Sequence, residues 1–272
     1  MSGTPILPRI TDMVFQVLAA VGRLAIAAFE EVGRISLFAK DAILVGLSPR
    51  YYVNQIAKQF FRIGYTSLPV VALTAFFTGG ALALQIYQGS AAATAATLVP
   101  NIVALAMTRE LGPVLAGLMI SGRVGASIAA ELGTMRVTEQ IDALTTLSTN
   151  PLKYLVGPRF LAAMVSLPLL VAIGDTIGIM GGYVVGTRSL DINGAVYLKA
   201  TADYLQWDDI WSGLIKAAVF GFIVALMGCY HGFHSKGGAA GVGRATTNAV
   251  VSSAILILAA NFVLTSLLFS GT

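Results

Sequence analysis

The sequence predicts an all-α integral membrane protein: an N-terminal interfacial amphipathic helix, then five transmembrane helices, with a short cytoplasmic helix between the second and third spans. Two observations carry this prediction. Hydrophobic residues fill 56% of the 272 positions and charged residues only 11%, less than half of the roughly 25% charge of a soluble domain. The charges are also missing from long stretches. Residues 63–108 and 245–272 hold no Asp, Glu, Lys or Arg, and residues 160–187 hold only Asp175. A spanning helix needs about 20 mostly apolar residues, so the first stretch accommodates two spans and the others one each. Regular alternation of apolar and polar residues is absent, which argues against a β-barrel. The same composition excludes a disordered chain and leaves almost no room for a water-soluble enzyme.

Residues 1–48 are read as the interfacial helix. Asp12, Arg23, Glu30, Arg34 and Asp41 fall within a stripe about 40° wide at about 100° per residue. Val14, Leu18, Ile26, Phe29, Leu37, Phe38 and Leu44 occupy the remaining faces. Such a helix lies in the membrane surface or beside a bundle, because as a spanning helix it would place an ionic seam in hydrocarbon. The stretch Met13 to Gly22 imitates the apolar core of a signal peptide, but Arg23 interrupts it and the apolar pattern continues beyond, so no cleavable signal is read. Ser48-Pro49 is expected to end the segment, since Pro disfavours helical backbone in the residue before it.

Residues 49–272 are read as a single five-span domain. The spans are expected near residues 60–87, 94–123 (with the pattern running on to Gly133), 158–186, 210–230 and 246–269, with a short uncharged turn at 88–93. Thirteen of the seventeen basic residues lie before the first span, between the second and third, or between the fourth and fifth. The positive-inside rule makes that side cytoplasmic, so the N-terminus is expected inside and the C-terminus outside. In this setting the net charge of +4 marks loops rather than a nucleic-acid partner. The lone Cys229 permits neither an internal disulfide nor a cysteine metal cluster. No repeat divides the chain into two halves, which weakens an inverted-repeat transporter.

Small residues recur every four positions in two spans: Gly174, Gly178, Gly182 and Gly186 in the third, and Gly117, Ser121, Gly125, Ala129 and Gly133 in the second. This spacing lets helix backbones approach closely, within the chain or in part at a homodimer interface. A smooth wall for a lipid tail is the alternative use.

Ionisable residues inside spans carry the functional reading, since they are costly there. Arg109 and Glu110 sit mid-span as neighbours and point about 100° apart, so each must find another partner. Pro113 cannot donate its backbone bond to Arg109, which loosens the helix at that point. Asp209 and Lys216 lie two turns apart on one face of the fourth span, and Lys216 is placed to pair with Glu110 across the bundle. One reading is a structural ion pair; the other is a polar lining of a lipid cavity, with Arg109 meeting a phosphate. Asp175 is expected to hydrogen-bond a neighbouring helix, with a proton relay as the alternative.

His231 and His234 are spaced for one helix face, yet no further ligand cluster accompanies them. The glycines at 237, 238, 241 and 243 lack the G-x-x-x-x-G-K-[ST] pattern and follow no strand, so they do not form a phosphate loop. No nucleotide site is found, so any ATP must be bound by another subunit. The segment Glu131 to Leu144 contains a helix start at Thr138 to Ile141, with an acid just after the capping residue. Leu132, Met135, Ile141 and Leu144 offer an apolar face, read as docking into a groove on a partner or as capping the bundle.

Several motifs then resemble one family. Arg109-Glu-Leu-Gly-Pro113, Ser121-Gly-Arg-Val-Gly125, the run Ala130 to Leu144, Asn150-Pro151, Pro158-Arg159, Gly243-Arg-Ala-Thr-Thr247 and Phe262-Val-Leu-Thr265 resemble the MlaE/YrbE permeases of the lipid ABC transporters that work with MCE proteins. The resemblance covers about residues 65–269. It implies a homodimer of permeases in a bacterial inner membrane, with phospholipid moving between that membrane and a periplasmic MCE-domain protein, usually a hexamer, and a role in outer-membrane lipid asymmetry. It implies an ABC ATPase subunit, binding ATP and Mg that this chain does not bind itself, docked under a coupling helix at Glu131, Met135, Arg136, Glu139, Gln140, Asp142 and Leu144. Some systems add a STAS-domain protein. Arg109, Glu110, Asp209 and Lys216 match the polar network near the family's lipid cavity.

Two other classes compete. An ion-coupled secondary transporter would use Asp175 and Glu110 as proton carriers. A membrane-embedded enzyme would need a nucleophile–base or metal constellation, and the sequence offers none.

Overall fold

The computed structural model describes residues 6–46 and 52–269. Every regular element among them is helical. α1 is Ile6–Gly46; α2, Val53–Ile63, runs through a 3-10 turn at Tyr65–Ser67 into α3, Leu68–Gly89. α4, Ala92–Ala106, α5, Gly112–Ile120, and α6, Ala126–Val137, are joined end to end by π turns at Met107–Leu111 and Ser121–Gly125. α7 is Gln140–Thr146. A third π turn, Leu152–Val156, leads into α8, Gly157–Arg188, followed by α9, Gly194–Tyr204, α10, Trp207–Phe233, and α11, Gly238–Phe269.

Among the described residues, five helical stretches are long and apolar enough to cross a membrane: Val53–Gly89, Thr94–Val137, Leu152–Arg188, Trp207–Phe233 and Gly238–Phe269. The number is the one the sequence predicts; the limits are wider at most ends. Hydropathy marks only the part suited to hydrocarbon, whereas backbone hydrogen bonding carries each helix on into its polar flanks. The last span accordingly starts two turns early, at the glycine run expected to be a loop. The connection between the third and fourth spans is not merely a loop either. Asn193 caps α9 by accepting from the backbone N–H of Ala195 (2.9 Å) and Val196 (3.4 Å), and α9 buries Tyr197 completely.

α10 is the axis of the bundle, with Lys216, Phe220 and Met227 fully enclosed. α8 lies between α10 and α3. At Gly79 an added Cβ would fall 1.9 Å from the carbonyl oxygen of Gly178, so the two backbones touch and only glycine fits. Gly182 and Gly186 face the buried Tyr197, while Gly117, Gly125 and Gly133 face α10 and α11. Both small-residue stripes thus serve packing within the chain. α11 buries one face, Ala245, Ala249, Ser253 and Ile257, and leaves Val251, Ile255, Leu258 and Phe262 exposed on the other.

α1 docks by its second half. Phe38 and Ala42 are buried, and Phe38 meets Tyr230 edge-on at 5.7 Å between ring centroids. The Tyr230 hydroxyl donates to Glu31 Oε1 at 2.8 Å, and Arg34 binds Glu30 (2.9 Å) and Glu31 (2.5 Å). These bonds from Arg34 and then Tyr230 hold the Glu31 carboxyl below the usual carboxylate range. Phe15, Ile26, Phe29, Leu37 and Leu44 remain exposed. The side chain of Asp12 and the Ser48-Pro49 break lie outside the described residues.

Candidate functional site

The polar network forms where the second span loses its α-helical register. Pro113 has no N–H, so the carbonyl of Arg109 cannot receive its usual bond. The backbone widens into the π turn Met107–Leu111, closed by the Gly112 N–H to the Met107 carbonyl. Such turns recur at functional sites. α10 passes close by because position 213 is glycine: a Cβ there would lie 2.2 Å from the carbonyl oxygen of Thr108.

One turn further along α10, Lys216 reaches the π turn. Its Nζ donates to the Arg109 carbonyl at 2.7 Å, to Glu110 Oε1 at 2.8 Å and to the Thr265 hydroxyl at 2.8 Å. All three donors of the ammonium are used. Glu110 also accepts from Thr265 at 2.9 Å and, through Oε2, from Asn261 Nδ2 at 2.7 Å. Arg109 turns the other way and pairs with Asp209 through Nε and Nη2. Asp209 is itself fixed at the first turn of α10, where Oδ2 accepts from the backbone N–H of Gln206 at 3.0 Å. The Arg109 guanidinium lies 4.3 Å from the centre of the Phe269 ring, in cation–π range.

The structure therefore brings Arg109, Glu110, Asp209 and Lys216 together as two ion pairs. Each pair joins an enclosed member to a half-open one. The side chains of Lys216 and Asp209 are 0% and 2% exposed, those of Glu110 and Arg109 39% and 33%. The accessible edge of the network is thus the two adjacent residues of the π turn. Arg109 Nη1 has no hydrogen-bond acceptor among the described residues, so the guanidinium retains donors for an anion.

Sequence reasoning missed Asn261 and Thr265. They lie four apart on one face of α11, and as polar residues in a charge-free apolar run they carried a readable signal. Phe269 and Gln206 had no such signal.

Asp175 departs from expectation. It is buried, yet its Oδ1 has no hydrogen-bond partner among the described residues. The reason is steric and local: Asp175 packs against Gly112, where an added Cβ would fall 1.7 Å from Oδ1, so it faces a glycine backbone and not a donor side chain.

The segment after the second span also differs from its reading. Thr138 ends α6, and Glu139, not Thr138, precedes α7, with a left-handed backbone (φ 59°). The expected apolar face does not await a partner. Leu132 and Ile141 are buried and Met135 and Leu144 pack against the same core, because the bundle's own end supplies the groove. Glu131 receives Arg62 at 2.7 Å and Arg159 at 3.1 Å, which ties α2, α6 and α8 together. Arg136 pairs with Asp142 at 2.6 Å across the turn. The charged and polar residues left exposed on and beside α7 include Glu139, Gln140 and Asp142, and Leu147 just after it is 74% exposed.

The two histidines are separately engaged. His231 Nε2 shares a hydrogen bond with Ser252 at 3.0 Å, and His234 Nδ1 with the Tyr230 carbonyl at 2.8 Å.

Comparison with known proteins gives a consistent picture. The family model described as permease MlaE matches residues 56–267. A probable ABC transporter permease protein of Rickettsia conorii is 54% identical over 257 residues, 94% of this chain and 99% of that one. The intermembrane phospholipid transport system permease protein MlaE of Haemophilus influenzae is 31% identical over 260 residues, 95% of this chain and 100% of that one. The chloroplastic protein TRIGALACTOSYLDIACYLGLYCEROL 1 of Arabidopsis thaliana is 35% identical over 237 residues, 87% of this chain and 68% of that one.

Proposed function

Because the chain belongs to the MlaE permease family, an ABC transporter permease family, we propose that it moves phospholipid between a bacterial inner membrane and a periplasmic MCE-domain protein, contributing to outer-membrane lipid asymmetry. The observation that carries this reading is the half-open Arg109–Glu110 edge of an otherwise enclosed ionic network. An intramembrane guanidinium with unused donors suits a lipid phosphate. Asp209 holds Arg109 in place, and Lys216 with Asn261 and Thr265 holds Glu110. A second copy of the chain is proposed to pack on the exposed apolar face of α11, beside this edge, so that lipid binds between the two protomers.

The permease itself binds neither ATP nor Mg in this reading; an ABC ATPase subunit does. It docks on the exposed surface of α7, at Glu139, Gln140 and Asp142, while Glu131, Arg136, Met135 and Leu144 set that surface on the bundle. The end carrying Arg62, Glu131 and Arg159 is cytoplasmic, in keeping with the positive-inside rule. The long apolar face of α1 then rests in the inner surface of the membrane. A STAS-domain protein on the ATPase is a further expected partner.

A pull-down of the tagged chain in mild detergent, with mass spectrometry of proteins and lipids, tests the proposal. An ATPase, an MCE-domain protein and phospholipid should come down together. A chain recovered alone and lipid-free, even after cross-linking in the membrane, would overturn it and favour proton-coupled transport through Asp175.

A further inference from the structure

At the opposite end of the bundle from the ionic network, α1, α10 and α11 enclose a cleft of about 510 Å³, within the roughly 300–1,000 Å³ range of small-molecule sites. Its charges are unevenly matched. Glu31 is the acid on its walls, and both its oxygens are taken, one by Arg34 and one by Tyr230. Arg34 is neutralised by Glu30 and Glu31. Lys236 and Arg244 line the same cleft and have no carboxylate partner among the described residues. His234 adds an uncommitted Nε2, since only its Nδ1 is hydrogen-bonded. On the side of α1 about 60–80° around the helix from Arg34, Leu37 and Leu44 are exposed at 64% and 59%.

A cleft with two unpaired cations and an apolar helix face alongside fits a ligand with a phosphate and a hydrocarbon tail. We infer that this cleft binds the phosphate of an anionic lipid, held by Lys236 and Arg244, with the acyl chains lying along the apolar face of α1. The site is separate from the network around Arg109. It ties the interfacial helix to the end of the bundle through the lipid as well as through Phe38. The inference rests on placing this end at the membrane surface, but on neither transport nor an ATPase.

The test uses the full-length chain in mild detergent, with bound lipid counted by native mass spectrometry. Phosphatidylglycerol and phosphatidylcholine are titrated separately. Phosphatidylglycerol should bind in preference, and Lys236→Gln with Arg244→Gln should weaken it about thirtyfold, the scale of two cations lost near an anionic lipid. Arg188→Gln with Lys199→Gln removes the same charge from the opposite end and should change nothing. Equal binding of the two lipids, or an unchanged affinity in K236Q/R244Q, would overturn the inference. Displacement by millimolar inorganic phosphate would overturn the lipid assignment and leave a soluble phosphate as the ligand; persistence of the lipid supports it. In Arg109→Ala the phosphatidylglycerol site should persist, so failure of this inference and failure of the transport reading are read separately.

Discussion

Lys216 makes the hydrogen bond that Pro113 cannot. The ammonium sits 2.7 Å from the Arg109 carbonyl, the acceptor left open by the proline ring. The same ammonium reaches Glu110 at 2.8 Å. A helix defect and a buried charge thus satisfy each other, and each would be costly alone.

Lys216→Met should therefore destabilise the protein. A broken buried pair costs about 3–5 kcal/mol, and the partial exposure of Glu110 lowers the expectation to about 2–3 kcal/mol. Thermal unfolding in detergent measures it. Lys216→Met with Glu110→Gln should recover part of the loss, because the double variant leaves no unpaired carboxylate. Equal stability of wild type and Lys216→Met would show that the pair does not hold the turn.

Gly213→Ala should separate α10 from the π turn. The new Cβ would meet the Thr108 carbonyl at 2.2 Å, so the helices must part and Lys216 must withdraw from Glu110. A loss of 1–3 kcal/mol, about the cost of overpacking, is expected. Gly33→Ala on α1, where nothing lies within 4 Å, should be neutral or gain up to about 1 kcal/mol from helix propensity.

Arg109→Ala should reduce phospholipid recovered with the chain. Arg109→Lys keeps the charge but loses the two-nitrogen grip on Asp209, and should fall between. Unchanged lipid content in Arg109→Ala, with an unchanged melting temperature, would reduce the pair to a structural role.

Glu139→Lys with Asp142→Lys should uncouple ATP hydrolysis in the assembled complex while leaving the fold intact. Both side chains are exposed, and the Arg136–Asp142 pair is a surface pair worth about 0–1 kcal/mol. Normal stimulated hydrolysis in this variant would remove α7 from the ATPase contact.

Acid should loosen α1. The Glu31 carboxyl lies below its usual range because Arg34 and Tyr230 bond its charged form. A depressed folded pKa stabilises above the unfolded value, and that stabilisation is lost as pH falls through the folded one. Docking should hold at neutral pH and weaken below the ordinary carboxylate range, around pH 4. Hydrogen exchange across residues 31–42, corrected for intrinsic rates, would report it. Glu31→Gln should lack this acid dependence.

The sequence carried the Glu110–Lys216 pairing because charges in an apolar run must find partners, and few were available. It did not carry the Arg109–Asp209 pairing, since Arg109 has reach enough for several acceptors. The apolar residues of 132–144 were readable as a buried face, but periodicity says only that a face is covered. Here the bundle's own end covers it. Asp175 was legible as costly and illegible in its surroundings, which depend on Gly112 from another span. The boundary proposed after residue 48 falls outside the described residues.

Composition and charge spacing alone determined the class, the number of spans and the amphipathic character of α1, because hydrocarbon imposes a length and a polarity on every crossing segment. Tertiary structure decided the rest: the π turn at Met107–Leu111, the third ligand of the Lys216 ammonium, the inward turn of α7 and the cationic cleft beside α1. Each depends on groups from helices far apart in sequence, and their approach is set by where glycine lets two backbones touch. That geometry is a property of packed surfaces and has no period along the chain.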